Sequence, residues 1–183
     1  MNKLFNKETL DEILEDLNTE LAKAGVFLEL TIYGGAIMTL VYNNRPSTKD
    51  IDSVLKCDNM DIVNDILSII KDKHSLSNDW INDEIKGPIK FLKKEDIEVF
   101  RIYSNLAVKK PVAAQILAMK ILAARREPSK DFIDSYLLCK SLNISTKEQL
   151  LKVISAYIPL SLVGERQMIF IKYLGEDLGY DWE

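Results

Sequence analysis

Apolar residues recur at intervals of three and four near the start of the chain: Leu10, Ile13, Leu14, Leu17 and Leu21. That spacing lays one apolar stripe along a helix over residues 7–24, and Gly25 supplies its stop. The texture then shortens. Residues 27–32, FLELTI, are rich in β formers and read as a strand. Gly34–Gly35 breaks it, residues 36–42 read as a helix, and Asn43, Asn44, Pro46 and Ser47 mark a loop before a second strand at 51–55. Ile62, Ile66, Ile69 and Ile70 stripe a helix over 61–73. Residues 79–86 read as a short helix capped by Asp79 and ended by Gly87–Pro88, and 97–103 as a third strand. Beyond Pro111 the pattern is helical only, near 111–126, 130–141, 146–157 and 163–177.

The implied class is α+β: a small mixed sheet flanked by helices over residues 1–108, then a C-terminal helical region, 109–183, packed on it. There is no internal repeat and no low-complexity linker. The 183 residues, 47% hydrophobic and 28% charged, suffice for a core of ordinary size. A formal net charge of −4 argues against a broad basic platform for nucleic acid. The pairs Lys93–Lys94, Lys109–Lys110 and Arg125–Arg126 read as solvated surface, with a local patch as the alternative. Cys57 and Cys139 stand alone and His74 is the one histidine, so no zinc-ligand spacing exists. Nothing demands a disulfide, the acidic amphipathic N-terminus is unlike a signal peptide, and no apolar run reaches the ~18 residues of a membrane span. The expectation is a cytoplasmic protein without a membrane partner.

The chemistry concentrates between Tyr33 and Leu55. Asp50 and Asp52 flank Ile51 on a strand, and residues two apart on a strand project to the same side. Two carboxylates so close resist ionising together unless a cation relieves them. Magnesium suits best, with manganese as the alternative, because a hard ion bridges carboxylate and phosphate oxygens. The upstream Gly34–Gly35 lets backbone approach a phosphate, and the helix after it directs free amides there. A strand, a glycine turn, a helix start and a carboxylate pair together describe a nucleoside triphosphate site.

Gly34–Gly35 followed by Arg45-Pro46-Ser47-Thr48-Lys49-Asp50-Ile51-Asp52 resembles the signature of the nucleotidyltransferase superfamily. The likeness extends through residues 79–87, DWINDEIKG, and through 118–126, AMKILAARR, with 130–134, KDFID. It is nearest to the minimal bacterial nucleotidyltransferase-fold proteins related to AbiEii-type toxins. The resemblance implies a nucleotidyltransferase-like sheet, with Asp50 and Asp52 as catalytic metal ligands. It implies phosphate contacts from Gly34, Gly35 and the small residue Ala36, and a loop-steadying or phosphate-binding hydroxyl at Thr48. Many members have a serine after the first glycine; this chain has Gly35, so backbone donors must serve. Lys120 is implied as a catalytic, nucleotide-binding lysine, with Asp131 and Asp134 matching the Lys-Asp-x-x-Asp segment. Larger transferases carry a third catalytic carboxylate on a later strand, for which Glu98 is the candidate. Against these stand plainer roles: a snorkelling Lys120, a helix-start charge at Asp131, and core packing for Trp80 rather than stacking on a base.

The functional expectation is metal-dependent transfer of a nucleoside monophosphate from a triphosphate to an RNA, protein or small-molecule hydroxyl. The resemblance implies a toxin–antitoxin or phage-defence setting, with an antitoxin or other protein partner. The competing expectation is a catalytically weak or inactive nucleotide-binding or protein-interaction module of the same fold.

Overall fold

The structure, a computed structural model, describes residues 4–82, 93–124 and 130–179. The chain forms two compact units, one of Met1–Lys86 with Ile97–Pro111, the other of Gly87–Asp96 with Val112–Glu183.

The first unit opens with α1 (Lys7–Ala24). The Asn6 side chain accepts from the Thr9 amide at 2.8 Å, and Gly25, at φ 68°, closes the other end with its amide on the carbonyls of Leu21 and Ala22. All five stripe residues are buried. β1 (Leu28–Ile32) follows, then α2 (Gly34–Leu40), β2 (Ile51–Lys56), α3 (Met60–His74), β3 (Ile81–Asn82), β4 (Ile97–Ile102) and β5 (Leu106–Pro111). The five strands form one mixed sheet in the order β3-β2-β1-β5-β4. β1 is central, antiparallel to β2 and parallel to β5. β2 pairs β3 in parallel, and β4 pairs β5 antiparallel with a bulge between Val99 and Arg101. In β1 Leu28, Leu30 and Ile32 are buried while Glu29 and Thr31 are half-buried, the alternation of a sheet with one face on the core. α1 packs on α3 and α2, which with Ile66 and Ile70 completes that core.

The second unit holds α4 (Ala113–Ala123), α5 (Lys130–Ser141), α6 (Lys147–Tyr157) and α7 (Glu165–Leu178), with short 3-10 turns at Lys94–Asp96 and Leu160–Leu162. α4 is its hub, packing on α5, α6 and α7 with Ile116, Leu117, Ala118 and Ile121 buried. Phe132 and Phe170 meet edge to face at 5.4 Å across α5 and α7.

Two expectations are corrected. Residues 79–82 are not the start of a helix: Ser77–Trp80 form a turn, so Asp79 caps none, and Ile81–Asn82 pair with β2. The remainder of that segment, with Asp83 and Lys86, lies outside the described residues. The second correction is β5, which no pattern predicts. Its apolar run stops at Leu106-Ala107-Val108 before two lysines and a proline, too short to announce a strand, yet β1 on one side and β4 on the other complete its ladder. The smaller differences are at ends: α2 begins at Gly34 rather than Ala36, and α4 ends at Ala123. Among the described residues no helix is long and apolar enough to cross a membrane.

Candidate functional site

The turn between β1 and α2 and the start of β2 are tied by backbone: the Tyr33 amide donates to the Asp52 carbonyl at 2.8 Å. Gly34 then takes φ +60°, a left-handed conformation that glycine alone adopts cheaply. Its bare α-carbon faces the Asp52 carboxylate. A Cβ on Gly34 would lie 2.1 Å from Asp52 Oδ2, and one on Gly35 would lie 2.6 Å from Thr48 Oγ1 and 3.3 Å from Arg45 Nη1. Both glycines are therefore required by close approach, one by an acid, the other by a hydroxyl and a guanidinium.

Thr48 is buried and doubly anchored. Its backbone exchanges hydrogen bonds with Phe5 at 2.7 and 2.9 Å, and its hydroxyl donates to the Asp50 carbonyl at 3.1 Å. The hydroxyl thus steadies the chain that carries the first carboxylate. Asp50 precedes β2 directly and is half-buried; Lys49 Nζ stands 3.7 Å from its Oδ2. Ile51 between the two acids is buried, and its amide donates to the Trp80 carbonyl at 2.8 Å. Trp80 itself is only 2% exposed, a core residue rather than a platform for a base.

Strand register decides which other groups share Asp52's side of the sheet. Thr31 pairs with Val54 and with Lys109, so Asp52, two residues before Val54, lies on the face of Thr31, Lys109 and Glu29. Glu98 pairs with Lys110, the neighbour of Lys109, which puts it on the opposite face. A one-residue offset reverses the side of a strand. Glu98 is bound by Lys110 there, and the third carboxylate expected from the sequence does not join Asp52. On Asp52's face the described strands offer Glu29 instead, farther along β1. Lys109 stands 2.8 Å from it and Lys56 3.5 Å, and the Lys109 hydrogen bond, against some burial, holds the Glu29 carboxyl below its usual range.

Lys120, Asp131 and Asp134 form a separate cluster inside the second unit. Lys120 Nζ stands 2.8 Å from an oxygen of each acid; its side chain is 10% exposed and that of Asp134 1%. The segment match 130–134 thus brings α4 and α5 together through one shared ammonium. The neighbouring Arg125 and Arg126 lie outside the described residues.

A carboxylate beside a glycine turn, with a second two residues earlier in the chain, is the donor type that suits magnesium, which keeps several waters and takes its other ligands from phosphate. Among the described residues no group of three or more histidine, cysteine, aspartate or glutamate side chains is placed to hold a metal ion. Both cysteines are free; burial pushes the Cys139 thiol up to about 12, which keeps it inert.

Arg45 stands in the sequence signature without a role of its own; its approach to Gly35 is what singles it out.

Comparisons with family models, with curated proteins and with solved structures find no match to this chain.

Proposed function

We propose that the first unit binds a magnesium-complexed nucleoside triphosphate and transfers its nucleoside monophosphate to an acceptor hydroxyl, releasing pyrophosphate. The observation that carries this is the contact of Asp52 with Gly34: a carboxylate packed on a glycine held in the left-handed conformation, where a Cβ would collide with it. Asp50 and Asp52 would hold the ion, and Gly34 and Gly35, without Cβ atoms, let Asp52, Thr48 and Arg45 draw close to the turn. Magnesium, when bound, supplies charge neutralisation and orientation of the phosphates. Thr48 fixes the Asp50 backbone through its hydroxyl. Lys120 and Asp131 enter through the resemblance alone: within the second unit they already satisfy one another.

One observation favours a second reading, a nucleotide-binding module with little catalysis. Glu98, the residue expected to activate the acceptor, lies on the far face, and Glu29 is held by lysine. The test is incubation with each of four labelled triphosphates, magnesium and total cell RNA or protein, followed by Asp50→Ala/Asp52→Ala. Transfer of label that disappears in the double variant supports the transferase. Transfer that survives it rejects the site. Magnesium-dependent binding without any transfer selects the module. An RNA or protein acceptor, a toxin–antitoxin role and a protein partner belong to the same proposal, and the labelled product identifies the acceptor.

A further inference from the structure

The glycine cradle is asymmetric in charge. Its Gly34 side meets the Asp52 carboxylate; its Gly35 side meets Thr48 Oγ1 and the guanidinium of Arg45. We propose that Arg45 is the specificity-determining residue of this site, gripping the β- and γ-phosphates while the carboxylates hold the metal at the other end of the triphosphate. This inference presupposes the nucleotide site proposed above.

Three features support it. First, the guanidinium is delivered by a pinned loop. The Asn44 amide donates to the Met38 carbonyl at 3.1 Å on one side of Arg45, and Thr48 is clamped to Phe5 on the other. Pro46 stiffens the step between them by fixing its own φ. Second, Arg45 is half-buried, so its charge is screened less than that of a surface lysine such as Lys49, 68% exposed. Third, the planar fork of arginine matches phosphate oxygens in pairs, which a point-charge ammonium does not. A triphosphate bound to one divalent ion keeps net negative charge on its terminal phosphates. The missing Cβ of Gly35 lets Nη1 draw close to the start of α2, beside the glycine turn. A monophosphate held at the carboxylates has no group to place there.

The experiment is calorimetric titration with magnesium and either a nucleoside triphosphate blocked at the α,β-bridge or the matching monophosphate. It uses the full chain and the variants Arg45→Met, Arg45→Lys and Asp52→Asn. Arg45→Met is expected to weaken the triphosphate analogue at least about tenfold, as loss of a charge-assisted pair predicts, and to leave monophosphate affinity within about twofold. Arg45→Lys should recover part of the loss, and it carries the test if Arg45→Met fails to fold. Unchanged triphosphate affinity in the arginine variants, with Asp52→Asn defective, overturns the role of Arg45 and leaves the nucleotide site standing. Equal loss for both ligands overturns it too, since that marks a structural role. Binding unaffected by Asp52→Asn, or no binding by the unaltered chain, overturns the nucleotide site and Arg45's role with it.

Discussion

The two units each carry a pair of aspartates close in sequence, and they treat them differently. In the second unit Asp131 and Asp134 converge on Lys120, whose ammonium meets both at 2.8 Å within a nearly closed interior. In the first, Asp50 and Asp52 are half-buried, and Asp52 presses on the α-carbon of Gly34. The Lys120 cluster encloses its cation within the unit; Asp50 has the exposed Lys49 at 3.7 Å, and Asp52 lies against the glycine turn. A buried ion cluster is costly to assemble and costlier to break, whereas a half-buried carboxylate keeps part of its contact with solvent. Equal sequence signals, two aspartates two or three residues apart, thus lead to different chemistry according to what the fold packs against them.

The sharpest contrast should appear on truncation. Asp134→Ala leaves the enclosed Lys120 with Asp131 as its carboxylate and opens a gap in the interior, and is expected to cost about 3 kcal/mol of stability, read as a fall in the denaturant midpoint. Asp52→Ala, at a half-buried position, should cost far less. If the two variants lose comparable stability, the distinction between a closed cluster and an open site disappears.

A smaller and more selective effect separates two glycines with the same backbone strain. Gly25 and Gly34 have φ of 68° and 60°, but a Cβ at Gly25 meets nothing within 4 Å while one at Gly34 collides with Asp52. Gly25→Ala should cost about 1–2 kcal/mol with nucleotide stabilisation intact. Gly34→Ala should cost more and remove the thermal shift given by magnesium and triphosphate. Retention of that shift in Gly34→Ala removes the cradle from the account.

The mildest effect lies away from both clusters, where Lys73 and His74 on α3 meet Asp16 on α1 at 2.7 and 2.8 Å. The Lys73 hydrogen bond, opposed by burial and aided by His74, holds the Asp16 carboxyl below 3.8. A carboxyl lowered in the folded state stabilises above its unfolded value and loses that contribution as pH falls through the folded one. Asp16→Asn should therefore remove about 1 kcal/mol near neutral pH and nothing at pH values below both. Urea titrations from pH 7 down to the most acid pH at which the fold persists test this; a loss of the same size throughout assigns the effect to packing instead.

Local signals explain what the sequence reveals. The stripe of α1 and its glycine stop, the short β1 and the stripe of α3 are complete within their own segments, and they form where expected. β5 and β3 are not legible because their pairing is non-local: Ile81–Asn82 is two residues long, and Leu106–Pro111 carries two lysines that the register accommodates on alternate faces. Glu98 shows the same limit. Alternation along β4 separates it from Val99, but which of them shares a side with Asp52 depends on the β5 register, two strands away from β2. The meeting of Gly34 with Asp52 was expected from order and spacing; the approach of Arg45 to Gly35 depends on how the loop before β2 folds back.

The most direct measurement is the affinity of the full chain for a magnesium-complexed, non-hydrolysable triphosphate, compared between the natural chain and Asp52→Asn. The account predicts saturable, magnesium-dependent binding that the single substitution reduces by at least about tenfold while the fold, followed by circular dichroism, is retained. Equal affinity in the two proteins, or binding indifferent to magnesium, would contradict it.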